Sequence, residues 1–132
     1  MSKRGINKTI LITAAVMAFI AVVLGAFGAH GLKKIVGPES VASFNTGVRY
    51  QMYHALVCLI LGNLAVLSEA AKKRIFYLFV IGTLLFSGSI YLLTIDEALG
   101  ISLSSIGFIT PLGGLLLILG WLFSIISFVK IK

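Results

Sequence analysis

The sequence predicts an all-α protein, a four-helix transmembrane bundle, and three observations lead there. Of its 132 residues 59% are hydrophobic and only 11% charged, with a mean hydropathy of +1.11. Water-soluble domains run at about 45–50% apolar and about 25% charged. The apolar residues gather into four runs, each close to the ~20 residues a helix needs to cross the hydrocarbon core. The runs lack apolar/polar alternation and are about twice as long as a membrane β-strand. Backbone in lipid must satisfy its own polar groups, so each run is expected to be a helix within one integral membrane domain, 1–132.

The first span, about 6–29, follows Lys3, Arg4 and Lys8. Its apolar stretch exceeds the ~7–15 residues of a signal-peptide core, so it is expected to stay as a helix. The second, about 48–67, begins inside the polar stretch TGVRYQMYH (46–54). Without that stretch only Ala55–Leu67 remain, thirteen residues, or about 20 Å of helix, too short for ~30 Å of hydrocarbon. Arg49, Gln51 and His54 are therefore drawn into the membrane boundary. Gly37-Pro38 marks a helix start, and residues 38–47 either join this helix or lie along the interface. A short basic connection, Lys72-Lys73-Arg74, makes the third span, about 75–95, an antiparallel neighbour of the second. Asp96 and Glu97 open a headgroup-level loop. Thr110-Pro111 then reads as cap and first turn of the fourth span, about 108–129.

The net charge is +7. Of the eleven basic residues, eight (Lys3, Arg4, Lys8, Lys72, Lys73, Arg74, Lys130 and Lys132) fall on one side of the alternating spans. Lys33 and Lys34 lie on the other side and Arg49 at the boundary. That bias places both termini in the cytoplasm. The cations edge apolar runs and form no patch interleaved with aromatics. The partners implied are membrane lipids with anionic headgroups, not nucleic acid.

Small residues recur at spacings of three and four on the first two spans: Ala14, Ala18, Ala21, Gly25 and Gly28, then Ala55, Cys58, Gly62 and Ala65. Such seams let helix backbones approach closely in lipid, where apolar burial alone does not drive association. Gly113, Gly120 and Ser127 form a third stripe. Cys58 is the lone cysteine, so it forms no intrachain disulfide and reads as a packing residue. GAFGAHG has the wrong order for G-x-G-x-x-G and follows a membrane helix, which excludes a dinucleotide turn.

Polar side chains gather in one leaflet: His30, then Arg49, Tyr50, Tyr53 and His54, then Ser87, Ser89 and Tyr91. Tyr50 and His54 are an i, i+4 pair. Ionisable residues at membrane depth usually face the bundle or a water-filled cavity. That gives an outward-facing pocket in which Arg49 is a fixed cation and His30 and His54 titrate near neutrality. On the other reading Arg49 snorkels to phosphates, the tyrosines anchor at headgroups and the serines bond their own helix. No Ser/His/carboxylate set, HExxH or Cys/His cluster occurs, and His30, His54 and Asp96 lack metal-ligand spacing. No enzyme activity, cofactor or metal is predicted.

The stretches GAFGAHGL (25–32), FNTGVRYQMYHAL (44–56), FSGSIYLL (86–93) and TPLGG (110–114) stand in this order. With them the chain resembles the small bacterial membrane proteins of domain of unknown function 423, also called uncharacterised protein family 0382, of which eukaryotic transmembrane protein 256 is a relative. The resemblance implies a multi-pass plasma-membrane protein and no established activity. Its motif positions coincide largely with the polar cluster, which favours a shared pocket for a small anionic or amphipathic, lipid-like molecule. The alternative is a structural or interaction protein whose seams mediate self-association as a homo-oligomer, or partner binding, with no ligand. Transport by so small a bundle would require an oligomer.

Overall fold

The computed structural model describes residues 2–132. Four helices form: α1 (Lys3–Ala29), α2 (Pro38–Gly62), α3 (Glu69–Leu99) and α4 (Ile109–Val129). Single 3-10 turns stand at Leu32–Lys34 and Ser104–Ile106. α1, α3 and α4 are long and apolar enough to cross a membrane. α2 has the length, 25 residues or about 37 Å, but its first half is polar.

The bounds of α2 correct the expected span 48–67. The helix starts at Pro38, so residues 38–47 join it, and it stops at Gly62. Gly37 is extended, Pro38 occupies the first turn and Glu39 meets the positive end of the helix dipole. At the other end Asn63 takes the C-cap, and its side-chain amide donates to the Leu59 carbonyl at 2.9 Å. The connection to α3 is therefore 63–68 and not the basic triplet. Ser68 caps α3 by accepting from the Ala71 amide. Lys72 lies inside the helix, 1% exposed, with Nζ donating to Asn7 Oδ1 of α1 at 3.2 Å.

α3 also runs further than expected, to Leu99, where Gly100 closes it in the left-handed region (φ 68°). Asp96 and Glu97 are consequently not loop charges. Asp96 accepts from the Leu103 amide, while Glu97 reaches back to α2, accepting from the Gly37 amide and the Ser40 hydroxyl. Thr110 does not cap α4, whose cap position is Phe108; its hydroxyl bonds Ser89 of α3 instead.

Chain order is spatial order. α1 packs on α2, α2 on α3 and α3 on α4, while α1 makes little contact with α3. The small-residue seams lie inside this row. A Cβ on Gly28 would stand 2.8 Å from Asn45 Oδ1, and one on Gly62 2.9 Å from Leu11. Gly25 faces Val48. Ala14, Ala21, Ala55 and Cys58 are buried and Ala18 half-buried, but Ala65 lies past the end of α2 and is exposed, a correction to the second seam. α3 and α4 approach closest: a Cβ on Gly113 would meet the Phe86 backbone nitrogen at 2.2 Å, and one on Gly120 the Phe79 ring at 2.6 Å. The main core (Ile10, Cys58, Leu61, Ile75, Phe79, Leu117) fills the space between. Phe19, Leu84 and Ile118 are exposed, as lipid-facing side chains are.

Candidate functional site

Gln51 and His54 of α2 are 7% and 4% exposed and lie inside the bundle, between helices that are apolar enough to cross a membrane. There an unpaired polar group costs several kcal/mol (roughly 2–7), and the structure pairs both. Gln51 Nε2 donates to the Met17 carbonyl of α1 at 2.8 Å, and Gln51 Oε1 accepts from the Tyr91 hydroxyl of α3 at 2.7 Å. One side chain thus ties three helices.

His54 is 4% exposed, and the Trp121 indole of α4 donates to its Nε2 at 3.1 Å. An indole N–H only donates, so Nε2 is the acceptor and Nδ1 carries the proton, donating to the Tyr50 carbonyl at 2.7 Å. Both ring nitrogens of a neutral imidazole are engaged, with Phe79 and Trp121 packed around it. Ser87 donates to the Gly47 carbonyl at 2.7 Å across α2 and α3. Ser89 donates to the Phe86 carbonyl and, through Thr110, holds α3 to α4.

The remaining members of the expected pocket face outward. His30 is exposed and bonds the Ala26 carbonyl of its own helix. Arg49 is exposed, and its guanidinium donates to Thr46 Oγ1 at 3.2 Å. Tyr50 and Tyr53 are exposed, with their rings in contact. The eight residues do not converge on one cavity. His30, Arg49, Tyr50 and Tyr53 stand on the outside of the bundle, His54, Ser87 and Ser89 are links between or along helices, and Tyr91 lines a cleft. His54 and His30 share no metal site with Asp96, and no three His, Cys, Asp or Glu side chains cluster among the described residues.

Two cavities stand near these groups. One, about 460 Å³, lies among Glu39, Ser40, Ser43, Thr46, Thr94 and Thr110. Its charged lining residue is a carboxylate, and neighbouring Glu97 is held below the ordinary carboxylate value first by the Ser40 hydroxyl and then by the Gly37 amide. This is poor ground for an anion. The other, about 470 Å³, is a cleft between α1 and α3. Ile12, Val16, Ile20, Val80 and Leu84 make its walls, with Thr13, Gln51, Thr83 and Tyr91 the polar lining. No charged residue lines it. Thr83, 5% exposed, has a buried hydroxyl without a hydrogen-bond partner. Thr9, Thr46, Thr94 and Ser124 each donate to the carbonyl four residues back, the usual solution in a membrane helix. Gly88 also lines the cleft, and a Cβ there would meet nothing within 4 Å.

Thr83 and Trp121 escaped the sequence reading. Each carries a signal that was available: a hydroxyl in the middle of an aliphatic run, and an indole in mid-span, where its N–H needs a partner.

The family described as "Protein of unknown function (DUF423)" matches residues 24–114. The chain belongs to this family. It is 38% identical over 125 residues to the UPF0382 membrane protein YwdK of Bacillus subtilis (strain 168), covering 93% of this chain and 98% of that protein. It is 38% identical over 130 residues to the UPF0382 inner membrane protein YgdD of Escherichia coli (strain K12), covering 96% and 93%. A third relative, the UPF0382 membrane protein SSP2132 of Staphylococcus saprophyticus, is 36% identical over 124 residues. No solved structure matches. The chain is a multi-pass protein of the cell membrane, and the family match takes in both partners of the Ser87–Gly47, Ser89–Thr110 and Glu97–Gly37 links, while Met17, Asn7 and Trp121 lie outside it.

Proposed function

We propose that this protein is a membrane-embedded binding module, which takes a small, neutral, lipid-like amphiphile from the bilayer into the α1–α3 cleft. The observation that carries the reading is the cleft's lining: aliphatic walls, polar side chains among them, and Gly88, whose missing side chain leaves the space open. Its volume, about 470 Å³, falls within the roughly 300–1,000 Å³ of small-molecule sites. An ionised head there would lack a counter-charge, so the ligand is neutral. Arg49 is exposed, bonds Thr46 and lies outside the cleft, so it does not hold the ligand. Self-association through the seams has less support, because Gly25, Gly28, Gly62, Gly113 and Gly120 already pack within the chain.

The orientation belongs to the same proposal. Lys3, Arg4, Lys8, Lys73, Arg74, Lys130 and Lys132 mark the cytoplasmic end, although Lys72 is buried and leaves that count. Labelling of a cysteine at position 73 by a reagent confined to the outside would overturn it.

Gly88→Leu tests the cleft, because its side chain has room and fills it. Lipids and small molecules retained by the purified protein are identified by mass spectrometry. Wild type and Arg49→Ala are expected to keep the same neutral species, while Gly88→Leu loses it with its thermal midpoint intact. Retention by Gly88→Leu would sink the reading.

A further inference from the structure

At the end of the bundle where α3 begins and α4 stops lies a separate cavity of about 580 Å³. Its lining changes character with depth. Arg74, Lys130 and Lys132 are at or beyond the ends of the apolar runs, at headgroup level, whereas Leu67, Phe123 and Ile126 present an apolar surface. We propose that this cavity binds the phosphate of an anionic phospholipid headgroup, with the glycerol end of its chains on the apolar side.

Four features support this site. First, the cations come from α3 (Arg74) and from the segment that follows α4 (Lys130 and Lys132), and all three line the same cavity. Second, Arg74 does not extend freely outward: its guanidinium lies 5.3 Å from the centre of the Phe123 ring on α4. A cation held over an aromatic face keeps its donors arranged in a plane. Third, the N-terminus of α3 opens on the same space. The Ser68 hydroxyl takes the Ala71 amide, and the amides of Glu69 and Ala70 precede the first intrahelical bond. The positive end of the helix dipole adds to the three side-chain charges. Fourth, no acidic side chain lines the cavity, Glu69 standing in the first turn of α3 outside its lining, and Lys72 is turned away, buried against Asn7.

The cavity at the opposite end of the bundle has the reverse character, with Glu39 and hydroxyls in its lining and no cation. The site is also independent of the α1–α3 cleft. The cleft is uncharged and calls for a neutral ligand, so failure of one proposal leaves the other standing.

The test uses the full chain in nanodiscs of three compositions: phosphatidylcholine alone, phosphatidylcholine with phosphatidylglycerol of the same acyl chains, and phosphatidylcholine with inorganic phosphate added. Phosphatidylglycerol retained after detergent extraction is counted by native mass spectrometry, and thermal midpoints are recorded. Wild type is expected to retain phosphatidylglycerol and to melt higher with it than with either other condition. Arg74→Gln/Lys130→Gln is expected to lower its affinity for phosphatidylglycerol about tenfold or more, given the pull of each basic residue at an anionic surface. Lys33→Gln/Lys34→Gln removes the same charge elsewhere and is expected to leave retention unchanged. Equal loss in both double variants would reduce the effect to net charge and overturn the site, as would no loss in the first. Equal stabilisation by inorganic phosphate would overturn the lipid as its source. Arg74→Lys, which keeps the charge and loses the planar fork, covers the case in which the double variant does not fold. It is expected to weaken binding in part, and full retention would count against the site.

Discussion

Gly113→Ala is the substitution the packing of α3 on α4 forbids most strongly. The added Cβ would stand 2.2 Å from the Phe86 nitrogen, 2.7 Å from Phe86 Cα and 2.8 Å from the Gly82 carbonyl oxygen. All three are backbone atoms, so no side chain can swing away. Ordinary contact needs about 3.5–4 Å, so the helices must separate by roughly 1 Å, and a gap of that size forfeits a quarter to a half of each dispersion well along the seam. The Leu117–Gly82 and Phe79–Gly120 contacts lie on the same seam. Overpacking costs about 1–3 kcal/mol or more, and the gain of alanine over glycine in a helix returns up to about 1. A net loss of about 2 kcal/mol is expected. Gly88→Ala, in the neighbouring turn of α3, adds the same methyl group into open space and is expected to be neutral or stabilising by about 0.4–1 kcal/mol. Thermal unfolding in one detergent measures both against wild type. A Gly113→Ala protein that melts as high as Gly88→Ala would refute the packing.

Gln51→Leu removes two interhelical hydrogen bonds and Tyr91→Phe one. At about 0.6 kcal/mol per bond on average, and up to about 1.7, Gln51→Leu should cost about 1–3 kcal/mol in the same assay and exceed Tyr91→Phe. Gly62→Leu should destabilise strongly because Leu11 stands against it, whereas Ala65→Leu, outside the helix and exposed, should change little. Glu97 has a lowered pKa, so its link to Ser40 and Gly37 is complete above the ordinary carboxylate value. The link weakens only as pH falls through its lower folded value. The protection factor of the Gly37 amide should stay level from pH 7 to pH 5 and fall at more acid pH; a fall centred near neutrality would contradict the link.

Composition and run length made the helices legible, because a membrane helix needs little beyond a long apolar stretch. α2 was misplaced for a physical reason. Its buried face contains Gln51 and His54, which hydropathy counts as boundary residues but which partners from three other helices satisfy: the Met17 carbonyl, Tyr91 and Trp121. No local pattern announces such pairings. The seams were legible because small residues at three- and four-residue spacing have few uses other than close approach, and Ala65 failed only because Asn63 had already ended the helix. The polar cluster was visible as a composition of one leaflet. Its division into outward-facing side chains, interhelical links and cleft depended on which face each helix turns to its neighbour, and a sequence does not order the neighbours. Thr83 and Gly88 acquire meaning only beside α1.

A crystal structure of the protein grown from a lipidic mesophase tests the central claim most directly. Elongated density is predicted in the cleft between Val16 and Leu84, its polar end within hydrogen-bond distance of Thr83, Gln51 or Tyr91. The account is contradicted if α1 closes onto α3 with Thr83 bonded to the Phe79 carbonyl, or if the density lies against Arg49 instead.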